Sequence, residues 1–258
     1  MADERTTHAA TAPGDPTVVA DRVHIAYTVP TGPGGSRRVH AVKGVSFVAR
    51  RGEAIGLIGS NGSGKSTLLK AIAGLQATES GALYTRGRPA LLGVDAALMN
   101  DLSGERNVVL GGLALGMSRR EVASRYDEIV DFSGLRRPGR EGDDPLSRPM
   151  RTYSSGMGAR LRFAISAATR GHDVLLIDEA LATGDAEFQR RSRRRIDELR
   201  AAAGTVFLVA HSATTIRQTC DRALWLEAGT LRMDGPADEV VAAYEESTRT
   251  KTPAGPRT

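Results

Sequence analysis

A chain of 258 residues, 40% of them apolar, can bury a sizeable core, and its single cysteine, Cys220, excludes an intramolecular disulfide framework and any paired-cysteine metal site. No apolar run approaches the roughly 18 residues of a spanning helix, and the opening residues, with Asp3 and Glu4, lack the apolar centre of a signal peptide, so a role at a membrane is expected to be peripheral. The net charge of +5 admits nucleic acid or anionic lipid as a partner, but it reflects arginines scattered along the chain.

Residues 1–16 and 247–258 are rich in Thr, Ala, Gly and Pro and predict disordered tails around one domain over 17–246. Residues 17–58 alternate apolar and polar in short runs broken by Gly and Pro, which predicts strands and turns. The period changes at Lys65. KSTLLKAIAGLQ predicts a helix with Leu68, Leu69, Ile72 and Leu75 on one face and Gly74 near its end. A short strand pair is expected around GALYTRGRPALLGV, then helix from about Asn100 to Phe132.

A Gly/Pro/charge-rich loop, GLRRPGREGDDPLSRP, leads into TYSSGMGARLRFA. There Ser154 or Ser155 is placed to cap a helix whose buried face is Met157, Leu161, Ala164, Ile165 and Ala168. Beyond it the order reads strand VLLID, helix 186–203, strand TVFLVAH, a short helix, strands ALWLEAG and LRMDG, and a closing helix PADEVVAAYEE. Strands alternating with helices predict a parallel α/β sheet with helices on its faces, and the helical insert, about 100–170, is long enough to form a lobe. In helix 186–203, Phe188, Ile196, Leu199 and Ala203 share a face. Most of the arginines at 190, 191, 193, 194 and 195 lie away from it, the pattern of a solvated surface more than of a lipid or nucleic-acid patch.

The run Gly59-Ser60-Asn61-Gly62-Ser63-Gly64-Lys65-Ser66-Thr67 fits G-x-x-x-x-G-K-[ST] between an apolar strand, AIGLI, and a helix. Its glycines let backbone N–H groups curl round a phosphate at a helix N-terminus, where the dipole favours an anion. Lys65 is placed to reach the β and γ phosphates and the Ser66 hydroxyl to ligate Mg²⁺. Asp178 ends the strand VLLID, at the sheet edge where open α/β folds bind ligands, and is a second Mg²⁺ ligand candidate. Glu179 follows as a candidate general base, and His211, after TVFLVA, reaches the same edge and can bond a γ phosphate.

With these elements in order, residues 17–246 resemble the ATP-binding subunit of ABC transporters. The resemblance implies a P-loop NTPase (RecA-like) core with an antiparallel β subdomain and a helical signature subdomain, with ATP and Mg²⁺ as cofactors. It assigns a signature to Tyr153–Met157, a D-loop to Ala182-Thr183-Gly184-Asp185, and a switch to His211. Tyr27 falls where such proteins stack an aromatic on adenine, a place an edge-strand or core tyrosine fills equally well. Ser154, Ser155 and Gly156 would bond the γ phosphate held by another copy's Lys65, so that ATP lies between two chains.

YSSGM, LLIDEALATGD and the LSGERN element at Leu102–Asn107 further resemble the ATPases of polysaccharide export, including teichoic acid, O-antigen and galactan exporters. This implies a homodimer beneath an integral membrane permease, on the cytoplasmic face of the cell membrane, with no nucleic acid partner. No Gln stands between Ala77 and Gln189, so the glutamine by which most such ATPases couple to the permease is missing. The contact that replaces it is expected within Leu92–Leu102.

An ABC transporter of another substrate also fits these residues. A soluble ABC ATPase acting on nucleic acid usually inserts coiled coils or zinc-binding cysteines between phosphate loop and signature, an interval of only about ninety residues here. A P-loop kinase would need an acceptor pocket and no signature.

Overall fold

Adjacent residues of the central strands point into different cores. Val174 and Leu176 pack on one side of the main sheet and Leu175 and Ile177 on the other, so the strands read as unbroken apolar runs because both faces are buried. The computed structural model describes residues 14–32, 35–92, 98–136, 144–169, 171–178, 185–210 and 212–251.

Nine strands and seven α-helices are formed by the described residues. β1 (Pro16–Gly32), β2 (Gly35–Arg50) and β4 (Ser80–Thr85) make a three-stranded antiparallel sheet in the order β2-β1-β4. β3 (Ala54–Ile58), β5 (Pro89–Leu92), β6 (Val174–Asp178), β7 (Thr205–Val209), β8 (Arg222–Glu227) and β9 (Thr230–Pro236) make the main sheet, in the order β5-β6-β7-β3-β8-β9. Only β9 is antiparallel in it. The expected strand pair around residues 81–94 therefore does not pair with itself: β4 joins β1, and β5 joins β6.

α1 (Lys65–Ile72) packs its buried Leu68, Leu69 and Ile72 on the first core but ends sooner than the sequence suggested. Gly74, at φ 74°, closes a Schellman turn in which Gly74 N–H donates to Ala71 O and Leu75 N–H to Lys70 O, at 2.9 and 2.8 Å. Leu75 is thereby turned off the buried face and is 61% exposed.

The stretch expected as one helix is two, α2 (Gly104–Ala114) and α3 (Arg119–Ser133). Gly116, at φ 84°, makes the same kind of turn, with bonds from Gly116 N–H to Leu113 O and from Met117 N–H to Gly112 O, and Ser118 with Glu121 then forms a capping box. α4 (Ser155–Ala168) lies against both, and Val108, Ile129, Leu161 and Ile165 are fully buried in a third core that belongs to this helical lobe. Phe132 of α3, Phe163 of α4 and Phe188 of α5 (Ala186–Ala202) join the lobe to the main sheet, with ring centroids 5.8–5.9 Å apart.

After α6 (Ala213–Thr219), the chain closes with α7 (Ala237–Lys251), anchored by buried Val240 and Val241 and by Tyr244 packed edge-on against Trp225. The helix runs past the expected boundary at residue 246. At the other end, the main chain of Gly14 and Asp15 bonds to Arg51, so order begins before residue 17. No described helix is long and apolar enough to cross a membrane.

Candidate functional site

β3 is hydrogen-bonded to β7 on one side and β8 on the other, and its C-terminal end opens into the glycine-rich loop. Gly59 (φ 142°) and Gly64 (φ 104°) have conformations that L side chains rarely adopt, and a Cβ there would run into the carbonyl oxygens of Leu226 and Ala41. The loop is seated by a bond from Gly229 N–H to Ser63 O, 3.1 Å. α1 then starts at Lys65 with no side-chain cap and no acidic residue in its first turn, so its leading amides are left for an anion.

Lys65 Nζ donates to the carbonyls of Gly59 and Ser60 at 2.7 and 2.9 Å, folded back over the loop. Burial pushes its pKa below the ordinary lysine value, while the charge of Asp178 works against that shift. Ser66 Oγ donates to Asp178 Oδ2 at 2.9 Å, across 112 positions of sequence. Two oxygen donors therefore meet at the phosphate end, from the elements that the sequence had singled out. A cleft of about 420 Å³ opens here, lined by Val39, His40 and Ala41 of β2, Asn61–Thr67, Asp178 and Val209. Asp178 stands opposite Val209 in the β6–β7 register, two residues ahead of His211.

Tyr27 is not on the wall of this cleft. Its hydroxyl lies 3.3 Å from Thr67 Oγ1, and its ring packs on the first core. Val39, His40 and Ala41 line the cleft instead. No motif marks them, because a strand residue's part in a cleft depends on how two sheets are juxtaposed.

The signature stretch forms a second hollow of about 320 Å³, and no residue lines both. Ser154, not Ser155, is the cap of α4, accepting from Met157 N–H at 3.2 Å. Ser155, exposed in the first turn, borders the hollow with Arg151 and Arg162. Tyr153 donates its hydroxyl to Pro145 O at 2.7 Å, and burial, reinforced by the charge of Asp144, pushes its pKa up to about 12. Arg160 runs from α4 to Asp185, the N-cap of α5, at 3.1 Å. The Asp185 carboxyl is held below the usual range by the N–H of Phe188 and by the Arg160 charge. Glu179, Ala182, Thr183, Gly184 and His211 lie outside the described residues, as do residues 137–143 of the loop ahead of the signature.

Residues 42–182 match the family model described as ABC transporter, more than half of the chain. The chain belongs to the ABC transporter family. Among relatives of this ABC protein is the O-antigen export system ATP-binding protein RfbB of Myxococcus xanthus, 40% identical over 81% of this chain and 46% of the relative. Another is the teichoic acids export ATP-binding protein TagH of Lactococcus lactis subsp. lactis (strain IL1403), 37% identical over 80% of this chain and 42% of the relative. The chain thus spans less than half the length of these two relatives. Its fold is that of a solved ATP-binding subunit of an ABC transporter, with a TM-score of 0.67 at 24% identity, covering 89% of this chain and 93% of that one.

Proposed function

We propose that this chain is the ATP-hydrolysing subunit of an exporter that moves a polysaccharide or lipid-linked glycan across the cytoplasmic membrane. It works as a homodimer, bound peripherally on the cytoplasmic face to an integral membrane permease. The Ser66–Asp178 pair beside Lys65 carries the nucleotide half of this reading. Similarity to ATP-binding proteins of O-antigen and teichoic acid export supports the glycan half.

The residues present fit Mg²⁺. A hydroxyl and a carboxylate oxygen, both hard donors, are the kind of small protein ligand set this ion takes alongside water and substrate phosphates. Bound by Ser66 and Asp178, the ion would neutralise charge on the phosphates.

Lys65 exchanges the Gly59 and Ser60 carbonyls for the β and γ phosphates, while the amides of residues 60–67 cradle the chain of phosphates. Phosphate loop and signature share no lining residue within one chain. Their joint use therefore calls for a second copy, whose Ser154, Ser155 and Gly156 meet the γ phosphate from α4's positive end. Glu179 takes the proton of the attacking water, and His211 orients that water against the γ phosphate. In place of the missing glutamine, exposed Met99, with Val109 and Leu113 four residues apart on α2, offers the permease an apolar contact.

Two measurements test the proposal. The purified chain hydrolyses ATP without any phosphoryl acceptor, and a strict need for an acceptor would point to a kinase. Depleting it from cells leaves lipid-linked glycan on the cytoplasmic side; unchanged glycan export after depletion would remove the substrate assignment.

A further inference from the structure

On the other face of the main sheet from the nucleotide cleft, a further cavity of about 370 Å³ lies between α5, α6 and strands β6 and β7. Successive strand residues point to opposite faces. Asp178 and Val209 line the cleft, while their neighbours Ile177 and Leu208, opposed in the β6–β7 register, floor this cavity. Phe163 and Ile196 extend its apolar wall.

The polar groups that α5 adds are not all committed. Ser192, 7% exposed, lines the cavity, and its buried hydroxyl has no hydrogen-bond partner among the described residues. A buried donor left in that state is costly and calls for an acceptor. Next to it, Arg193 is exposed and makes no ion pair among the described residues. Arg200 is already engaged: it donates to Thr219 O at 2.8 Å and stands 3.9 Å from the carboxylate of Asp197.

We infer that this cavity binds a small amphipathic anion, an apolar chain or ring that carries a carboxylate or phosphate. The apolar part lies on Ile177, Leu208 and Phe163, and the head accepts from the Ser192 hydroxyl while the Arg193 guanidinium closes over it. An apolar floor favours hydrocarbon over water, and an uncommitted cation at the mouth favours an anion over an alcohol. No residue lines both this cavity and the nucleotide cleft, so the site goes beyond the nucleotide reading and does not depend on it.

Isothermal titration of the full chain with octanoate, hexanoate and octanol tests this, in the wild type and in Ser192→Ala, Arg193→Ala and Ile196→Trp. Octanoate binds saturably at one site, and hexanoate binds about fifteenfold more weakly, roughly fourfold for each methylene withdrawn from the apolar floor. Octanol binds more weakly than octanoate. Arg193→Ala weakens octanoate about threefold and leaves octanol unchanged. Ser192→Ala weakens octanoate about tenfold, yet without ligand it is no less stable to urea than the wild type, because the hydroxyl it removes has no partner to lose. Ile196→Trp, at a half-buried wall position, fills the cavity and abolishes binding of both ligands.

The inference is overturned by equal affinity for octanoate and octanol in the wild type, by an Arg193→Ala variant that binds octanoate like the wild type, or by octanoate binding that survives in folded Ile196→Trp. No saturable binding at all, which leaves only ordered water at Ser192, overturns it too, as does a loss of stability in ligand-free Ser192→Ala. Vesicles of dioleoylphosphatidylglycerol then identify the source of the anion: they displace octanoate if a bilayer supplies it and do not if it comes free from solution, and the site is upheld either way.

Discussion

Gly62 and Gly64 offer a matched pair of perturbations within one loop. Both have positive φ, 78° and 104°, but a Cβ on Gly62 meets nothing within 4 Å, whereas one on Gly64 strikes the carbonyl of Ala41 on β2. Alanine at Gly62 therefore incurs only the conformational penalty of a left-handed L-residue, about 1–2 kcal/mol. Alanine at Gly64 adds the cost of driving the loop from a strand whose backbone is fixed in a ladder, about 1–3 kcal/mol more. Urea unfolding without nucleotide should show Gly62→Ala shifted by about 1–2 kcal/mol and Gly64→Ala by about 2–5 kcal/mol, with the slope m unchanged. The space beside Gly62 is where a phosphate would lie, so Gly62→Ala should lose more ATP affinity than its small stability loss suggests. Equal destabilisation by the two variants, or the reverse order, would refute the reasoning.

Ser154→Ala should cost about 1 kcal/mol of stability through loss of the α4 cap, while Ser155→Ala stays within about 0.5 kcal/mol yet slows ATP hydrolysis; thermal unfolding alongside turnover separates the two. The Lys65 ammonium adds a positive charge to its bonds with phosphate, and burial lowers its pKa, so ATP affinity should fall as pH rises at a pH below the ordinary lysine value of about 10.4. Lys65→Arg, which keeps its charge, should lack that decline, and a flat affinity profile for the wild type up to that value would contradict it. Glu179→Gln should bind ATP but hydrolyse it poorly, accumulating as a nucleotide-bound dimer visible by size-exclusion chromatography; near-normal turnover would sink the role of the base.

Where a local signal and its consequence lie within a few residues, the sequence was readable. The phosphate loop, the doubly buried VLLID strand, and the serine ahead of α4 all fell where their residue types required. The break at residues 116–118 was also written locally, as a glycine followed by Ser118 and Glu121, but the apolar period running across it masked the signal. Leu75 misled for the same reason, since helical periodicity holds only until Gly74 reverses the chain. Long-range pairing was different. Nothing between Gly81 and Val94 states that β4 and β5 belong to separate sheets, and nothing at Val39–Ala41 announces a cleft. Tyr27 was placed by position along the strand, which says nothing of the Thr67 hydroxyl beside its own or of the core against its ring.

The order of strands in the main sheet has a consequence for how the protein is made. β3 is translated early, yet its neighbours are β7 and β8, and the phosphate loop is seated by Gly229, all encoded about 150 residues or more downstream. At roughly 5–20 residues per second, the ribosome leaves AIGLI without its partners for ~10–30 s. The β1–β2–β4 sheet, whose contacts are local, can assemble in that interval, but the nucleotide site cannot. A chain truncated before the β8–β9 turn would thus carry every residue of its phosphate loop and still lack the seat that shapes it.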